Sequence, residues 1–224
     1  DTTQGTGQLA LDYGSYGFHR AKLQQGKDFG SSGVGIAASL TRDTGYRNDE
    51  GVDQEKVSLR HRIEWDSTVI TSGLTYTHLD QETAGYIEGF ESYKSTELAR
   101  SNPNPEAFRN AKSLRIWSKF NTSFDGGHGL SITPYLRNQD MRFRMHFLPG
   151  KPLEENAQKG VGVLSQFNYI VNDYVSLDLG IDAEYTEGEL VQSQQGATEG
   201  SAFLVETIPS GKHYDYDVDA ALIA

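Results

Sequence analysis

Apolar and polar residues alternate one for one along much of this chain. Val57, Leu59, His61, Ile63 and Trp65 fall on one side, with Ser58, Arg60, Arg62, Glu64 and Asp66 on the other. Leu114, Ile116, Ser118 and Phe120 alternate with Ser113, Arg115, Trp117 and Lys119. Val175, Leu177, Leu179, Ile181, Ala183 and Tyr185 alternate with Ser176, Asp178, Gly180, Asp182 and Glu184. Tyr214, Tyr216, Val218, Ala220 and Leu222 alternate with Asp215, Asp217 and Asp219. A helix would spread these charges round every side, whereas a strand keeps an apolar and a polar face apart. The pattern predicts about ten strands, near 7–13, 16–26, 32–42, 54–65, 68–79, 112–124, 129–140, 160–172, 174–186 and 213–224. Arg20 and Lys22 disturb the second, where they share a face with Phe18. Pro134 cannot donate a ladder hydrogen bond, so a bulge is expected there.

The connections add a second rhythm. After a tight turn near Gly14–Ser15 they alternate between short (26–31, 66–67, 125–128 and 172–173) and long (43–53, 80–111, 141–159 and 187–212). Short turns at one end and long loops at the other is the plan of an outer-membrane barrel with its long loops outside the cell. A strand of about 11 residues, tilted near 45°, covers about 25 Å, the height of the apolar band. Aromatic residues near strand ends (Tyr13, Trp65, Tyr76, Phe124, Tyr169, Tyr174 and Tyr185) suit the membrane–water boundary. The fold expected is therefore all-β: an antiparallel transmembrane barrel segment of about ten strands, with short periplasmic turns and long extracellular loops.

Composition fits that plan. The 224 residues hold 24 Gly, 12 Tyr and 10 Phe but only 36% hydrophobic residues, as a sheet with one oily and one wet face requires. No stretch approaches the 18 apolar residues of a membrane helix. There is no cysteine, which excludes disulfides and thiolate metal sites. The net charge of −11 disfavours nucleic acid as a partner.

No pattern of enzymic chemistry emerges, and no cofactor is implied. The six histidines lack zinc spacing, so no metal site is expected. There is no nucleophile elbow and no phosphate-binding loop. Glu154–Glu155 and Asp80/Glu82 read as solvated loop charges. Arg60, Arg62, Glu64, Arg115 and Lys119 fall on polar faces and are expected to line the barrel interior, where they either hold an interior plug or touch a passing ligand. For ligand contact the candidates are Tyr86, Phe90, Tyr93 and Arg109 in the longest loop, with Arg142, Arg144, His146 and Phe147 at the outer end of strand seven. Cations beside aromatics suit an anionic, partly aromatic chelate, or form ordinary loop packing.

Several segments resemble a known family. Residues 7–17 (GQLALDYGSYG) resemble the first barrel strand of TonB-dependent receptors. Residues 43–48 (DTGYRN) and 54–60 (QEKVSLR) resemble their next outer loop and strand. Residues 79–85 (LDQETAG), 101–109 (SNPNPEAFR) and 112–115 (KSLR) are similar to a subgroup of iron or siderophore receptors. The resemblance runs through essentially the whole chain, so 1–224 is expected to be part of one receptor barrel, its first half. It implies a 22-stranded barrel enclosing an N-terminal plug. It further implies a location in the outer membrane, a ferric siderophore or similar chelate as ligand, and import driven by the TonB–ExbB–ExbD system through the plug. The plug, the TonB-contacting box and the remaining strands are missing from this sequence, so an incomplete wall is expected. The rival readings are a passive porin and a soluble all-β carbohydrate-binding module. The soluble module requires the Val57/Leu59/Ile63 and Val175/Leu177/Leu179 rows to pack together in a dry core.

Overall fold

The computed structural model describes residues 7–197 and 210–224. Ten strands form a single antiparallel sheet in which each strand pairs with its neighbours in sequence. They are β1 (Gly7–Tyr13), β2 (His19–Asp28), β3 (Ser32–Asp43), β4 (Val52–Trp65), β5 (Thr68–Glu82), β6 (Phe108–Ser123), β7 (Gly129–Arg144), β8 (Leu153–Asn172), β9 (Val175–Gln194) and β10 (Gly211–Ile223). β1 and β10 are the two edges.

The register aligns the alternation from strand to strand. Ile36, Leu59, Leu74, Ile116, Leu136, Val161 and Tyr185 are successive cross-strand partners, so seven strands place one apolar row on one face. The row is not covered: Leu59 is 43% exposed, Leu136 42% and Val161 58%. Among the described residues the only buried hydrophobics are Ala107 and Met145, both at the loop end. The rows that a soluble sandwich would press together instead share one face of one sheet, so no dry core forms between them.

Aromatic rings mark the limits of this face. Trp65 closes β4 at the short-turn end, and Tyr76 pairs with Val57 eight residues above it. That is about 26 Å along the strand and about 20 Å once tilted, close to an apolar band of about 25 Å. At the short-turn end His128 stacks on Tyr169, with ring centroids 4.6 Å apart. Its Nδ1 accepts the Ile170 N–H at 3.0 Å, just past the last β7–β8 pair, Gly129 with Asn168.

Three expectations are corrected. No bulge forms at Pro134. β7 keeps one register with β6 on both sides of the proline, and pairing lapses only opposite Ser118 and Lys119. The missing N–H is absorbed on the β6 side, while the β8 ladder runs through Pro134 unbroken. Second, β6, β7, β8 and β9 extend beyond the predicted bounds, so Arg109, Arg142 and Arg144 are strand residues. Above the apolar band both faces are wet, and alternation no longer reports a strand. Third, the apolar row of β10 lies on the polar face. Tyr216 pairs with Leu190, Val218 with Gly188 and Leu222 with Glu184, which puts Asp217 and Asp219 on the side of Tyr185. β10 pairs with residues 183–194 of β9, where polar side chains stand on both faces, so its own alternation does not say which face its rings join.

Candidate functional site

The polar face is built from large side chains laid sideways over glycines. Gly73 separates Arg60 from Trp117 along one cross-strand row. Arg60 reaches across it to lie 5.5 Å from the Trp117 ring. A Cβ on Gly73 would stand 2.6 Å from the indole. Two strands on, Tyr135 lies over Gly162 and donates its hydroxyl to Glu184. Arg137 lies over Gly160 and binds Glu184 at 2.5 Å and Thr186 at 3.3 Å. Thr186 in turn donates to Glu184 at 2.7 Å. Glycine within a strand marks a close approach, and here the approaching group is a neighbour's ring or guanidinium.

All five residues predicted for the interior wall share this face. Arg60, Arg62 and Glu64 occupy alternate positions of β4; Thr71 of β5 stands between Arg62 and Lys119, and Thr75 between Ser58 and Arg115. Arg62 and Glu64 form an ion pair. Alternation placed Trp117 and Glu184 on this face without singling them out, and it did not place Tyr135 and Arg137. Their signal was the in-strand glycines 73, 160 and 162, each opposite a long side chain.

The eight residues predicted to touch ligand do not converge. Phe90 is 95% exposed, Tyr86 76% and Tyr93 73%, all in the 83–107 loop. The Tyr86 hydroxyl donates to Glu88, which raises its pKa above the ordinary phenol value. Arg109 lies on the polar face, 5.6 Å from the Phe143 ring. Arg142 lies on the opposite face: it pairs with Glu155 at 3.1 Å and stands 5.7 Å from the Phe108 ring. Arg144 shares that opposite face and donates to the Lys151 carbonyl at 3.1 Å. His146 packs edge-on against Phe147. Arg142 and Arg109 therefore cannot grip one ligand from one side of the wall.

The loops themselves are tied together. Within 83–107, α1 (Thr96–Arg100) begins at Ser95, whose side chain accepts from the Leu98 N–H. Arg47, in the β3–β4 loop, donates twice to the Ser101 carbonyl at 2.8 and 2.9 Å. Arg100 stands within 6 Å of both the Tyr16 and the Tyr46 rings, at 5.8 and 5.6 Å. Lys151 binds Glu106 at 2.5 Å, and this contact holds the Glu106 carboxyl below its ordinary pKa. Among the described residues no three His, Asp or Glu side chains gather as a metal site.

A hollow of about 860 Å³ crosses the apolar face, where Ile36, Leu59, Leu74, Ile116, Leu136 and Val161 line it beside the small Ser72, Ser118 and Pro134. It is away from the loop rim, and its chemistry suits acyl chains.

No protein-family profile and no curated protein matches the chain. Solved structures do. The ferric citrate transporter FecA, in its unliganded form, superposes with a TM-score of 0.67 at 14% identity, over 96% of this chain and 32% of that one. The siderophore receptor PiuA from Acinetobacter baumannii gives 0.65 at 11% identity, over 95% and 36%. The ferric-catecholate import receptor Fiu from E. coli K12, in its open form, gives 0.63 at 9% identity, over 92% and 36%. The sheet is built like part of a TonB-dependent receptor barrel. At these identities the likeness is one of fold, and this chain spans about a third of the length of each of these three structures. The neighbours are named as a transporter and as receptors for ferric or siderophore ligands, not as enzymes.

Proposed function

We propose that this chain forms part of the wall of an outer-membrane receptor that binds a ferric siderophore or similar chelate and imports it with energy from the TonB–ExbB–ExbD system through a plug. The observation that carries this reading is the uncovered apolar row shared by seven strands, with a charged face behind it and every long connection at one rim. Exposed greasy surface of that extent is stable in lipid, not in water. The three receptor-like neighbours support the ligand class. The exposed aromatics Tyr86, Phe90 and Tyr93 are offered as a ligand platform at the rim, with Arg109 below them on the polar face. Arg142, Arg144, His146 and Phe147 are assigned to rim packing or to contact from the outer side.

The membrane step is tested by refolding the chain into vesicles containing bromine-labelled lipid. Trp65, on the apolar face, should be strongly quenched, and Trp117, on the polar face, spared. Equal quenching, or none, would refute the assignment of faces. The ligand step is tested by titrating a ferric catecholate and ferric citrate against the reconstituted chain. Phe90→Ala with Tyr93→Ala should weaken binding about tenfold. Unchanged affinity removes the platform.

A further inference from the structure

The ladder between β9 and β10 carries two registers. Gly211 pairs with Gln194 and Lys212 with Ser193; a bulge follows, and Tyr214 pairs with Gln192. Every later pair keeps the second register, down to Ile223 with Ala183. In that register Asp217 stands directly opposite Glu189, and Asp219 opposite Glu187. Like charges placed directly opposite each other destabilise a strand pair. The exposed row of Tyr214, Tyr216, Val218 and Leu222 meanwhile stands on the polar face. Among the described residues β10 pairs with β9 alone, so a single ladder holds this arrangement.

We propose that the bulge between Lys212 and Tyr214 is a movable joint, and that β10 exchanges between this bulged register and a straight one. Carrying the Lys212–Ser193 register down the strand is enough. It sets His213 opposite Gln192 within the ladder, Tyr216 opposite Glu189, Asp217 opposite Gly188, Asp219 opposite Thr186 and Leu222 opposite Ala183. Because side chains alternate, a one-residue slide exchanges the two faces of β10. Both like-charge pairs are parted. Tyr216, Val218 and Leu222 join the apolar side, and Asp219 comes level with Thr186, to which Arg137 already donates. The slide gives up the Lys212–Asp215 ion pair at 2.7 Å and the hydrogen bond from the Tyr185 hydroxyl to Asp219 at 3.3 Å. Ion pairs as exposed as Lys212–Asp215 contribute little. The Tyr214–Tyr216 stack survives, since both rings change face together. A bulge can travel one pair at a time, so the ladder never opens as a whole. β9 holds neither register firmly, because Glu187, Glu189 and Ser193 on one face match Glu184, Thr186 and Gln192 on the other in polarity. The polar face beside Thr186 is therefore lined by Val218 and Ala220 in one state and by Asp217 and Asp219 in the other.

Neither the membrane reading nor the ligand reading is needed for this exchange. The test uses the full chain in detergent micelles; it has no cysteine, so an introduced pair supplies the only thiols. Ala220→Cys with Thr186→Cys stand opposite each other only in the bulged register. Leu222→Cys with Ala183→Cys do so only in the straight one. A one-residue offset points the two thiols to opposite faces, out of disulfide reach. Mild oxidation should bridge both pairs. Leu59→Cys with Leu74→Cys, opposite in a ladder of one register, should also bridge and so verify that the sheet has formed. Its failure would remove the sheet and this proposal with it. Adding Asp217→Asn and Asp219→Asn removes the repulsion that drives the slide. It should slow bridging of Leu222→Cys with Ala183→Cys by about fivefold, the effect of two like-charge pairs, and should not slow the other pair. Bridging at only one of the two pairs overturns the proposal. A rate at the straight-register pair that the asparagine substitutions leave unchanged overturns it as well.

Discussion

Gly73 shows how a single missing Cβ can determine the surface of a wall. Any side chain there collides with Trp117, which Arg60 in turn overlies. Gly73→Ala should destabilise the sheet by about 1–3 kcal/mol, the usual cost of overpacking. Adding Trp117→Leu should recover much of the loss in thermal unfolding, whereas the same rescue at a remote tryptophan such as Trp65 should do nothing. Glu106 offers a contrasting case. Its hydrogen bond from Lys151 lowers the carboxyl pKa from 4.5. A depressed carboxylate stabilises above the unfolded pKa, and that stabilisation is lost as pH falls through the folded value. Amides of residues 145–152 should therefore exchange faster below pH 4.5 than at pH 6, beyond the intrinsic change, and Glu106→Gln should abolish the difference. Neither contact was legible in the sequence. Gly73 was visible as a strand glycine, but the ring that needs it comes from the next strand, and Glu106 meets Lys151 from another loop.

Among the strands, the sequence was most informative where an apolar face and a polar face oppose each other. β4 could be read to within two residues because each apolar side chain has a polar neighbour on the other face, while β5 runs three residues past its expected end and takes in Asp80 and Glu82, which read as loop charges. β8 could not: its outer half, from Leu153 to Lys159, is wet on both sides, so nothing in the alternation separates it from a loop. β10 misled for the same reason, since its regular pattern says nothing of which face it joins until β9 supplies the register. The two faces make a paired test. Leu59→Arg places a cation on the apolar face of the band and should cost about 2–4 kcal/mol in urea unfolding from lipid. Ser58→Arg, one residue away on the polar face, should cost little. Equal penalties would contradict the two-faced sheet.

Charge varies along the sheet as well as between its faces: the polar face carries Asp178, Asp182 and Glu184 on β9. Cations gather on the polar face of β4–β7, while Asp53, Glu55, Asp80 and Asp140 stand above the apolar band on the other face, where Asp53 pairs with Arg42. The fold class, the strand rhythm and the common face of Arg60, Arg62, Glu64, Arg115 and Lys119 could be read from sequence because each depends on parity along a strand. The proposed ligand residues could not be assembled that way, because Arg109 and Arg142 differ in parity and Tyr86, Phe90 and Tyr93 sit where no period applies.

The Arg47 and Arg100 ties join three of the rim's connections. The loop carrying Phe90 and Tyr93 is fastened to the β3–β4 loop and, through Arg100 and Tyr16, to the first hairpin. A pull on those exposed rings is therefore transmitted to a turn more than sixty residues away in sequence, as a latch transmits to its hinge. Arg47→Ala should loosen that linkage, leaving the Asn48–Arg100 and Asn102–Asp49 bonds, so that residues 44–51 and 83–107 become more protease-sensitive together, with the strands beneath them still intact.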